Sequence, residues 1–267
     1  MKEGKALVNK RNIEWLPEYS RLPSVTWHSG DEVTLHHIRN FRYPADGPAI
    51  AGWYRRRFSL SDVQSTDLVL SYWGSRHIAH VFLSFRLGSG QRLAFSVETR
   101  RQEGQPWSAW RGFLNAYPVI YVAGDERDLI GQRLCRRQER MYLYPMSLSA
   151  GHSASLMHDY LLRISRISRD PEYYHTIWNN CTTNILRHGR TLSPDMRYHW
   201  QLLLSGHADR YCYNRGLLKN WGLINQRASF DVLKSTSRLL PPARIDRDFS
   251  DRIRMVHAVG PLNHPMS

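Results

Sequence analysis

Cysteine is scarce in this sequence, and the few cysteines show no paired spacing. Cys135, Cys181 and Cys212 are the three cysteines among 267 residues. An odd number without regular spacing argues against a disulfide framework. The absence of Cys-x-x-Cys and His-x-x-x-His pairs argues against a zinc site, and His36 and His37 alternate across a strand, which makes them a poor pair of ligands. We therefore expect neither disulfides nor zinc.

Long apolar runs are missing as well. No stretch reaches the roughly 18 uncharged apolar residues of a membrane-spanning helix, and the first residues, MKEGKALVNKRNIEWLPEYS, lack the apolar segment of a signal peptide. We expect either a cytosolic protein or one whose export depends on a segment outside these 267 residues. Hydrophobic residues still make up 42% of the chain, which is enough for a buried core and excludes a wholly disordered protein.

Acidic residues are outnumbered by basic ones. The chain has 37 Lys and Arg against 23 Asp and Glu, for a net charge of +14. Such a balance favours a polyanionic partner, either nucleic acid or an anionic membrane surface. The basic residues are spread along the chain without a zinc-knuckle, RNA-recognition or helix-turn-helix pattern, which argues against nucleic acid. An anionic membrane surface and a generally basic soluble protein both stay open.

Apolar periodicity predicts a mixture of strands and helices. The clearest element is a hairpin over residues 77–101 whose loop contains two glycines. A turn centred on Ser89 sets apolar residues opposite apolar residues, and a one-residue slip would turn one strand's apolar face to solvent. The same register sets His80 opposite Glu98 on the other face. Further strands are predicted at 32–43, 66–75, 116–129 and 139–148, and a helix is predicted at 153–168.

Cys181 lies in an unusual polar context, NNCTTNILRHG. Asn179 or Asn180 is a good N-cap and Gly189 a good terminating residue, which predicts a short helix that begins at the cysteine. Ser193 is predicted to cap a further helix. The unpaired N–H groups of a first turn stabilise a thiolate and can hold an oxyanion. We therefore expect a lowered thiol pKa and a nucleophilic role.

A nucleophilic cysteine needs a base, and the hairpin offers His80 with Glu98 as its orienting partner. His77 is a competing base on the opposite side of the strand. The alternative is ordinary packing of Cys181, with His80 a core histidine and Glu98 serving a neighbouring arginine such as Arg100. Plain packing is also the interpretation for the other two cysteines, 135 and 212.

The order of histidine, carboxylate and Asn-Cys resembles that of circularly permuted papain-like thiol enzymes, which include NlpC-type amidases and the lecithin:retinol acyltransferase group. More specifically, residues 25–190 resemble the N-terminal periplasmic domain of Lnb, a bacterial lipoprotein N-acyltransferase. A later stretch, LLPPARIDRDFSDRIR, is similar to the family's C-terminal portion. The motifs that carry the resemblance are AHVFLSFRL, SVETRR, AGDERDLIGQR, MYLYPM and PEYYHTIWNNCTTNI.

This resemblance implies an α+β, permuted papain-like (NlpC-like) fold in which an antiparallel sheet packs on the helix that carries the cysteine. Residues 25–190 would be the catalytic core, between an irregular leader at 1–24 and a mainly helical extension at 191–267. Cys181 would be the nucleophile and His80 the general base. Glu98 would occupy the acidic position, and Asn180 would shape the helix start.

The implied reaction needs no cofactor or metal. An acyl chain from a membrane phospholipid would pass through a Cys181 thioester to the N-terminal amine of a lipoprotein. The implied location is periplasmic or membrane-associated, and a cytoplasmic one stays open because no export signal is present. Aromatic residues that could line an acyl groove are Trp73, Phe82, Trp107, Trp110 and Tyr174.

Two alternatives stay open. A cysteine hydrolase (a peptidase, amidase or lipase) would use the same three residues with water as acceptor. A non-enzymatic basic module at a membrane surface would merely bury Cys181. The sequence does not indicate an oligomeric state.

Overall fold

A computed structural model describes residues 14–44, 47–104, 117–175, 178–193, 195–197, 199–219, 228–242 and 244–258. In these residues an eight-stranded sheet carries helices on both faces, which is an α+β architecture. The strands are β1 (Ser24–Trp27), β2 (Glu32–Arg39), β3 (Trp53–Ser59), β4 (Val63–Tyr72), β5 (Ala79–Leu87), β6 (Arg92–Thr99), β7 (Val119–Asp125) and β8 (Arg140–Pro145). The helices are α1 (Glu126–Gly131), α2 (Ala150–Arg169), α3 (Cys181–Leu192), α4 (Trp200–Leu203), α5 (Ala208–Asn214), α6 (Phe230–Thr236) and α7 (Phe249–Ala258).

The sheet is mixed, with the strand order β1-β2-β7-β6-β5-β4-β8 and β3 paired to β2. Its neighbours run antiparallel except β2 and β7, which meet in parallel at Arg39 and Gly124. The expectation of a purely antiparallel sheet is therefore wrong at this pair. No short turn links β2 to β7, so hairpin geometry does not dictate their direction. A Cβ on Gly124 would come within 3.3 Å of the Arg39 carbonyl oxygen, so glycine permits the close approach.

The predicted hairpin register is confirmed near the turn, because Leu83 lies opposite Phe95 and Phe85 opposite Leu93, whereas the predicted pair of His80 with Glu98 lies beyond the ladder. The ladder between β5 and β6 ends at Leu83 and Phe95, whereas β6 continues along β7 as far as Thr99. The two hairpin strands therefore open toward the end that carries His80. The candidate active site lies at this opening.

Each face of the sheet has its own core. Helices α2 and α3 cover the face that carries Val81, Leu83 and Phe85. The opposite face carries Phe82 and is covered by α1, α7 and the N-terminal Tyr19. Because successive strand residues point to opposite faces, His80 shares the face of Phe82. The predicted apolar stripe of α2 is confirmed by its buried residues, Leu156, Tyr160, Leu161, Ile164 and Ile167.

Two expectations about helix ends are wrong. Gly189 lies inside α3, which continues to Leu192. A Cβ at Gly189 would come within 2.7 Å of the Met196 sulfur, so the glycine makes room for a side chain instead of ending the helix. Ser193 is the C-cap of α3 and not an N-cap, since its N–H donates to the carbonyl of Gly189. Pro194 lies outside the described residues.

The chain after residue 191 is attached to the sheet by a buried acidic residue. Asp209 of α5 accepts hydrogen bonds from the Tyr144 hydroxyl (3.0 Å) and from Lys234 of α6 (2.7 Å). The hydroxyl of Tyr72 donates to the carbonyl of Gly206 at 2.6 Å. These contacts tie helices α5 and α6 to strands β4 and β8. The described part of the leader is likewise in contact with the sheet through Tyr19, and residues 1–13 lie outside the described residues.

A buried ion pair joins β2 to α1. Asp128 is fully buried and accepts two hydrogen bonds of 2.9 Å from Arg39. It also accepts from the backbone N–H of Phe41 (2.8 Å) and the hydroxyl of Tyr43 (2.7 Å). Both carboxylate oxygens are thus satisfied, which is the condition under which a buried charge pair is tolerated.

We expect the Asp128→Ala variant to lose about 3–5 kcal/mol of unfolding free energy, because it leaves the Arg39 charge buried without its partner. Urea denaturation measures this loss. The matched control is Glu32→Ala, which breaks the exposed ion pair with Arg57 and is expected to cost less than about 1 kcal/mol. Equal losses in the two variants would contradict the assignment.

Candidate active site

Cys181 is the first residue of helix α3, and its neighbours fix the start of that helix. The side chain of Asn180 accepts the N–H of Thr183 at 2.9 Å, and the hydroxyl of Thr183 accepts the N–H of Asn180 at 2.8 Å. This reciprocal capping box identifies Asn180, and not Asn179, as the N-cap. The hydroxyl of Thr182 donates to the carbonyl of Leu202 at 2.7 Å. The first turn is therefore held from both sides.

A polar chain behind the cysteine holds α3 against β7. Tyr121 donates to Asn184 at 3.1 Å and contacts a ring nitrogen of His188 at 2.7 Å. The other ring nitrogen of His188 lies 2.6 Å from Asp159 of α2. Sequence reasoning missed this second histidine–carboxylate pair, although His188 follows the cysteine by two helical turns. Burial lowers the pKa of His188 despite the carboxylate.

The Cys181 sulfur lies against the backbone of β5 and is partly buried. The backbone N–H of Val81, which is the residue that follows His80, lowers the pKa of the Cys181 thiol. The last β5–β6 pair is Leu83 with Phe95, and Val81 is the next residue along β5 with the same orientation. Val81 therefore lies where the partner strand has left the ladder.

The expected lowering of the thiol pKa is wrong. Burial raises the pKa of Cys181 above its ordinary value, and the negative charge of Glu98 adds to the increase. Hydrogen bonds from the backbone of Val81, Thr182 and Cys181 itself oppose this effect without reversing it. The helix start does stabilise the thiolate, as the polar context indicated, but desolvation outweighs it. The resting thiol is therefore protonated at neutral pH.

His80 and Glu98 are neighbours, as the hairpin register indicated, but a third residue joins them. The Nε2 of His80 lies 2.6 Å from the hydroxyl of Ser96 and 3.9 Å from Glu98. Ser96 donates its proton to Glu98 at 2.8 Å. Because a serine hydroxyl has one proton to give, His80 must donate to Ser96 through Nε2–H. The lone pair of the neutral imidazole is then on Nδ1, which is the nitrogen able to accept a proton.

The carboxylate of Glu98 is ionised and shared. It accepts from Arg133 at 2.8 Å and from the hydroxyl of Tyr19 at 2.7 Å. Burial alone would raise the pKa of Glu98, but Arg133 and His80 hold it well below its ordinary value. Glu98 therefore does pair with an arginine, as the alternative interpretation expected, but that arginine is Arg133 and not Arg100. Arg100 contacts the backbone of Tyr19 instead.

Burial lowers the pKa of the His80 imidazole from 6.5 to about 4. The positive charge of Arg133 lowers it further, and Glu98 partly opposes the decrease. The imidazole is therefore neutral at physiological pH, as is the Cys181 thiol. The two groups do not form a resting thiolate–imidazolium ion pair.

Cys181 and His80 reach this region from opposite faces of the sheet. Helix α3 packs on the Val81 face, whereas the His80 ring stacks on Phe82 at 5.6 Å. Val81, whose N–H lowers the pKa of the Cys181 thiol, is the residue that follows His80 in the chain. No direct hydrogen bond between the thiol and the imidazole occurs among the described contacts. In structures without substrate, catalytic hydrogen bonds are often long and tighten on binding.

One fully buried and one partly buried tyrosine adjoin the thiol. Tyr160 and Tyr174 have raised pKa values, chiefly through burial, and both are affected by the charge of a Cys181 thiolate. The Tyr160 hydroxyl is fully buried and has no hydrogen-bond partner within the described ranges. An unsatisfied hydroxyl at this depth is costly.

The remaining candidates lie elsewhere. The ring of His77 contacts His207 at 2.9 Å. Cys135 and Cys212 both have thiol pKa values raised by burial. Of the aromatic residues considered for an acyl groove, Trp73 is exposed and Phe82 buried, and residues 107 and 110 lie outside the described residues. Within the described part of the chain, no cluster of acidic, histidine or cysteine side chains could hold a metal ion, and no helix there is long and apolar enough to cross a membrane.

The pH dependence of stability tests the buried His80. Its folded-state pKa lies below the unfolded value, so the unfolded chain takes up a proton first as the pH falls. We expect His80 to contribute a loss of about 2 kcal/mol in unfolding free energy between pH 7 and pH 5. Urea denaturation at both pH values should show a loss smaller by that amount in His80→Gln. The other histidines are present in both proteins, so the difference isolates this one; identical pH dependences would contradict the assignment.

Comparison with known proteins identifies the family. The sequence profile described as the Lnb N-terminal periplasmic domain matches residues 49–211, which is more than half of the chain. No curated protein and no solved structure matches the chain. The matched span includes Cys181, His80 and Glu98, and its context is the Lnb enzymes of bacterial lipoprotein processing. This chain belongs to the Lnb N-terminal periplasmic domain family, as the sequence motifs indicated.

Proposed function

We propose that this protein is a cysteine-dependent acyltransferase of the Lnb type. It moves a fatty acyl chain from a phospholipid, through a thioester on Cys181, to the N-terminal amine of a bacterial lipoprotein. The observation that carries the proposal is Cys181 as the first residue of a capped helix, together with the His80–Ser96–Glu98 chain on the two strands that this helix contacts. The family context supplies the lipoprotein substrate class. We further propose that residues 25–190 form a permuted papain-like core and that residues 191–267 extend it.

The first half-reaction is the acylation of Cys181. As the sulfur attacks the ester carbonyl carbon, the thiol proton passes to Nδ1 of His80, directly or through one water. The carbonyl oxygen becomes an oxyanion, and the N–H groups at the start of α3 stabilise it. The ester C–O bond then breaks, and His80 returns the proton to the departing lysophospholipid alkoxide. The product is a Cys181 thioester with a neutral imidazole.

The second half-reaction reverses these roles. The lipoprotein amine attacks the thioester carbonyl and gives a proton to His80. The C–S bond breaks, an amide forms, and the sulfur regains its proton from the imidazolium. Glu98 stabilises the imidazolium in both half-reactions by its charge, while Ser96 fixes the Nε2–H orientation. These roles need no metal.

Because the Cys181 thiol and the His80 imidazole are both neutral at rest, the rate of thiol alkylation does not by itself report on catalysis. A nucleophilic cysteine with a lowered pKa is alkylated quickly at mildly acidic pH. Here burial favours the protonated thiol, so slow alkylation at that pH agrees with an enzyme that transfers the proton only during attack. Alkylation rate alone therefore does not separate the acyltransferase from a binding module. Detection of an acyl intermediate on Cys181 does separate them.

We expect a fatty acyl mass on the peptide that contains Cys181 after incubation with phospholipid, and none in Cys181→Ser. Intact-protein and peptide mass spectrometry measure it, and hydroxylamine should remove the adduct because it is a thioester. The matched control is Cys212→Ser, which removes a buried cysteine outside the site and should leave the adduct unchanged.

The fate of the acyl group separates the remaining alternatives. Transfer to a synthetic lipopeptide with a free N-terminal diacylglyceryl-cysteine supports the acyltransferase. Release of free fatty acid in the presence of that acceptor would favour a hydrolase. Absence of any adduct in the wild-type protein would overturn both and favour the basic binding module.

Ser96 provides a test of the positioning chain. In Ser96→Ala the imidazole loses the acceptor that fixes its tautomer, so we expect acylation to slow by roughly 10²-fold and the acidic limb of its pH–rate profile to shift. Ser84→Ala is the matched control, because Ser84 is a buried serine on the same face that donates to Glu126 at 2.5 Å. A slower rate with an unchanged pH profile, or an equal effect of both substitutions, would count against the positioning role.

A further inference from the structure

Close to the candidate active site, one face of a short helix is apolar and exposed to solvent. Trp200, Leu203 and Leu204 share this face, because they occupy the positions i, i+3 and i+4 of α4 and its C-cap. Their exposed fractions are 54%, 47% and 40%, whereas Gln201 and Leu202 on the other face are buried. Large apolar side chains that remain together in solvent are typical of an interaction surface.

The exposed apolar surface extends onto the loop between β4 and β5. The ring centre of Trp200 lies 5.5 Å from that of His207, which lies 5.1 Å from that of His77 in this loop. The N–H of Gly206 also donates to the carbonyl of His77 at 3.0 Å. The two segments therefore adjoin each other. We call their five exposed apolar side chains the apolar rim: Trp73, Ile78, Trp200, Leu203 and Leu204.

The segment that carries most of the apolar rim is attached to both elements of the candidate active site. The hydroxyl of Thr182, the residue after the candidate nucleophile, donates to the carbonyl of Leu202 at 2.7 Å. The N–H of Ala79, the residue before the candidate base, donates to the hydroxyl of Ser205 at 3.0 Å. The apolar rim is therefore held next to the start of α3 and the start of β5.

Exposed cations adjoin the apolar rim. Arg76 lies in the loop between β4 and β5, and its Nε contacts a ring nitrogen of His77 at 3.2 Å. Arg140 lies opposite Tyr72 at the end of β4, with its guanidinium 5.1 Å from the centre of the tyrosine ring. Both arginines are exposed, and within the described ranges neither forms an ion pair with a carboxylate. Their charge is therefore available to an anionic partner.

This combination of side chains matches the surface of an anionic lipid bilayer. Tryptophan is amphipathic and favours the level of the headgroups. Apolar faces that are flanked by basic residues bind at the same level, with the apolar side chains in the boundary between headgroups and acyl chains. Cations beside such a face contribute by attraction to the negative surface potential. A purely apolar protein partner would leave the two arginines without a counter-charge.

We propose that the apolar rim docks this protein on an anionic phospholipid bilayer. The rim side chains enter the headgroup region, and Arg76 and Arg140 contact lipid phosphates. The choice of partner rests on the proposed function, in which a phospholipid supplies the acyl chain. Docking then sets the bilayer beside the start of α3 and the start of β5, so that the phospholipid passes from the bilayer to the site.

Vesicle flotation tests the apolar contact without turnover, with mixed phosphatidylglycerol and phosphatidylcholine vesicles as the probe. We expect Leu203→Ser to weaken vesicle binding about fivefold, because a half-exposed leucine loses its burial in the interface. The matched control is Leu162→Ser, which changes a leucine of α2 that is 46% exposed and lies outside the apolar rim. Unchanged binding by wild type and Leu203→Ser, or equal losses in the two leucine variants, would overturn the proposal.

Arg76→Gln tests the contribution of charge. We expect it to weaken binding to the mixed vesicles about fivefold, since one attraction to the anionic surface is lost. Arg55→Gln removes an exposed arginine of β3 outside the apolar rim and is the charge-matched control, with a smaller effect expected. Equal effects of the two arginine substitutions would contradict a local role of Arg76 and leave only the net charge of the protein.

Two measurements separate docking from its alternatives. A dimer in sedimentation velocity that Leu203→Ser dissociates, with vesicle binding equal in both proteins, would overturn the bilayer in favour of a second copy of the chain. The acyl adduct on Cys181 tests the chemistry independently. Vesicle binding that depends on the apolar rim, without an adduct in the wild type, supports docking and contradicts acyl transfer; an adduct with binding independent of the rim does the reverse.

Discussion

The early end of the β5–β6 ladder is the constraint on which the site depends. An antiparallel pair normally satisfies its inward N–H groups with the partner strand. Beyond Leu83 that partner is gone, and helix α3, which begins at Cys181, contacts both β5 and β6. The same opening lets polar side chains from β5 and β6 group together at one end of these two central strands.

Burial then sets the charge state of the two reacting groups. Desolvation always disfavours the charged form, so it raises the pKa of the thiol and lowers that of the imidazole. The two shifts increase the difference between the thiol pKa and the imidazole pKa, which disfavours a thiolate–imidazolium ion pair. Glu98 does not offset this difference, because Arg133 and Tyr19 already share its carboxylate. Charge separation at the site therefore has to accompany bond formation with a substrate.

Local patterns predicted much of this arrangement, and tertiary effects account for what they missed. The hairpin register and the Asn180 cap follow from apolar alternation and from capping chemistry. Ser96 could have been found, since it lies two residues before Glu98 on the same strand face. Arg133 lies 35 residues from Glu98 and gave no local signal. The raised thiol pKa and the role of Gly189 depend on burial and on a contact with Met196, which capping rules do not include.

Ion pairs inside the fold determine where the net charge of +14 is located. Several arginines are used internally: Arg39 with Asp128, Arg133 with Glu98, and Arg254 with Asp67 and Glu126. These pairs lie on the sheet face opposite α2 and α3, where they allow charged residues to be buried. The excess positive charge then lies on the other basic residues, which include the exposed Arg86 of β5. A basic composition spread evenly along the sequence is therefore uneven in space, with a carboxylate at the His80 end of the hairpin and Arg86 opposite Arg92 at the turn end.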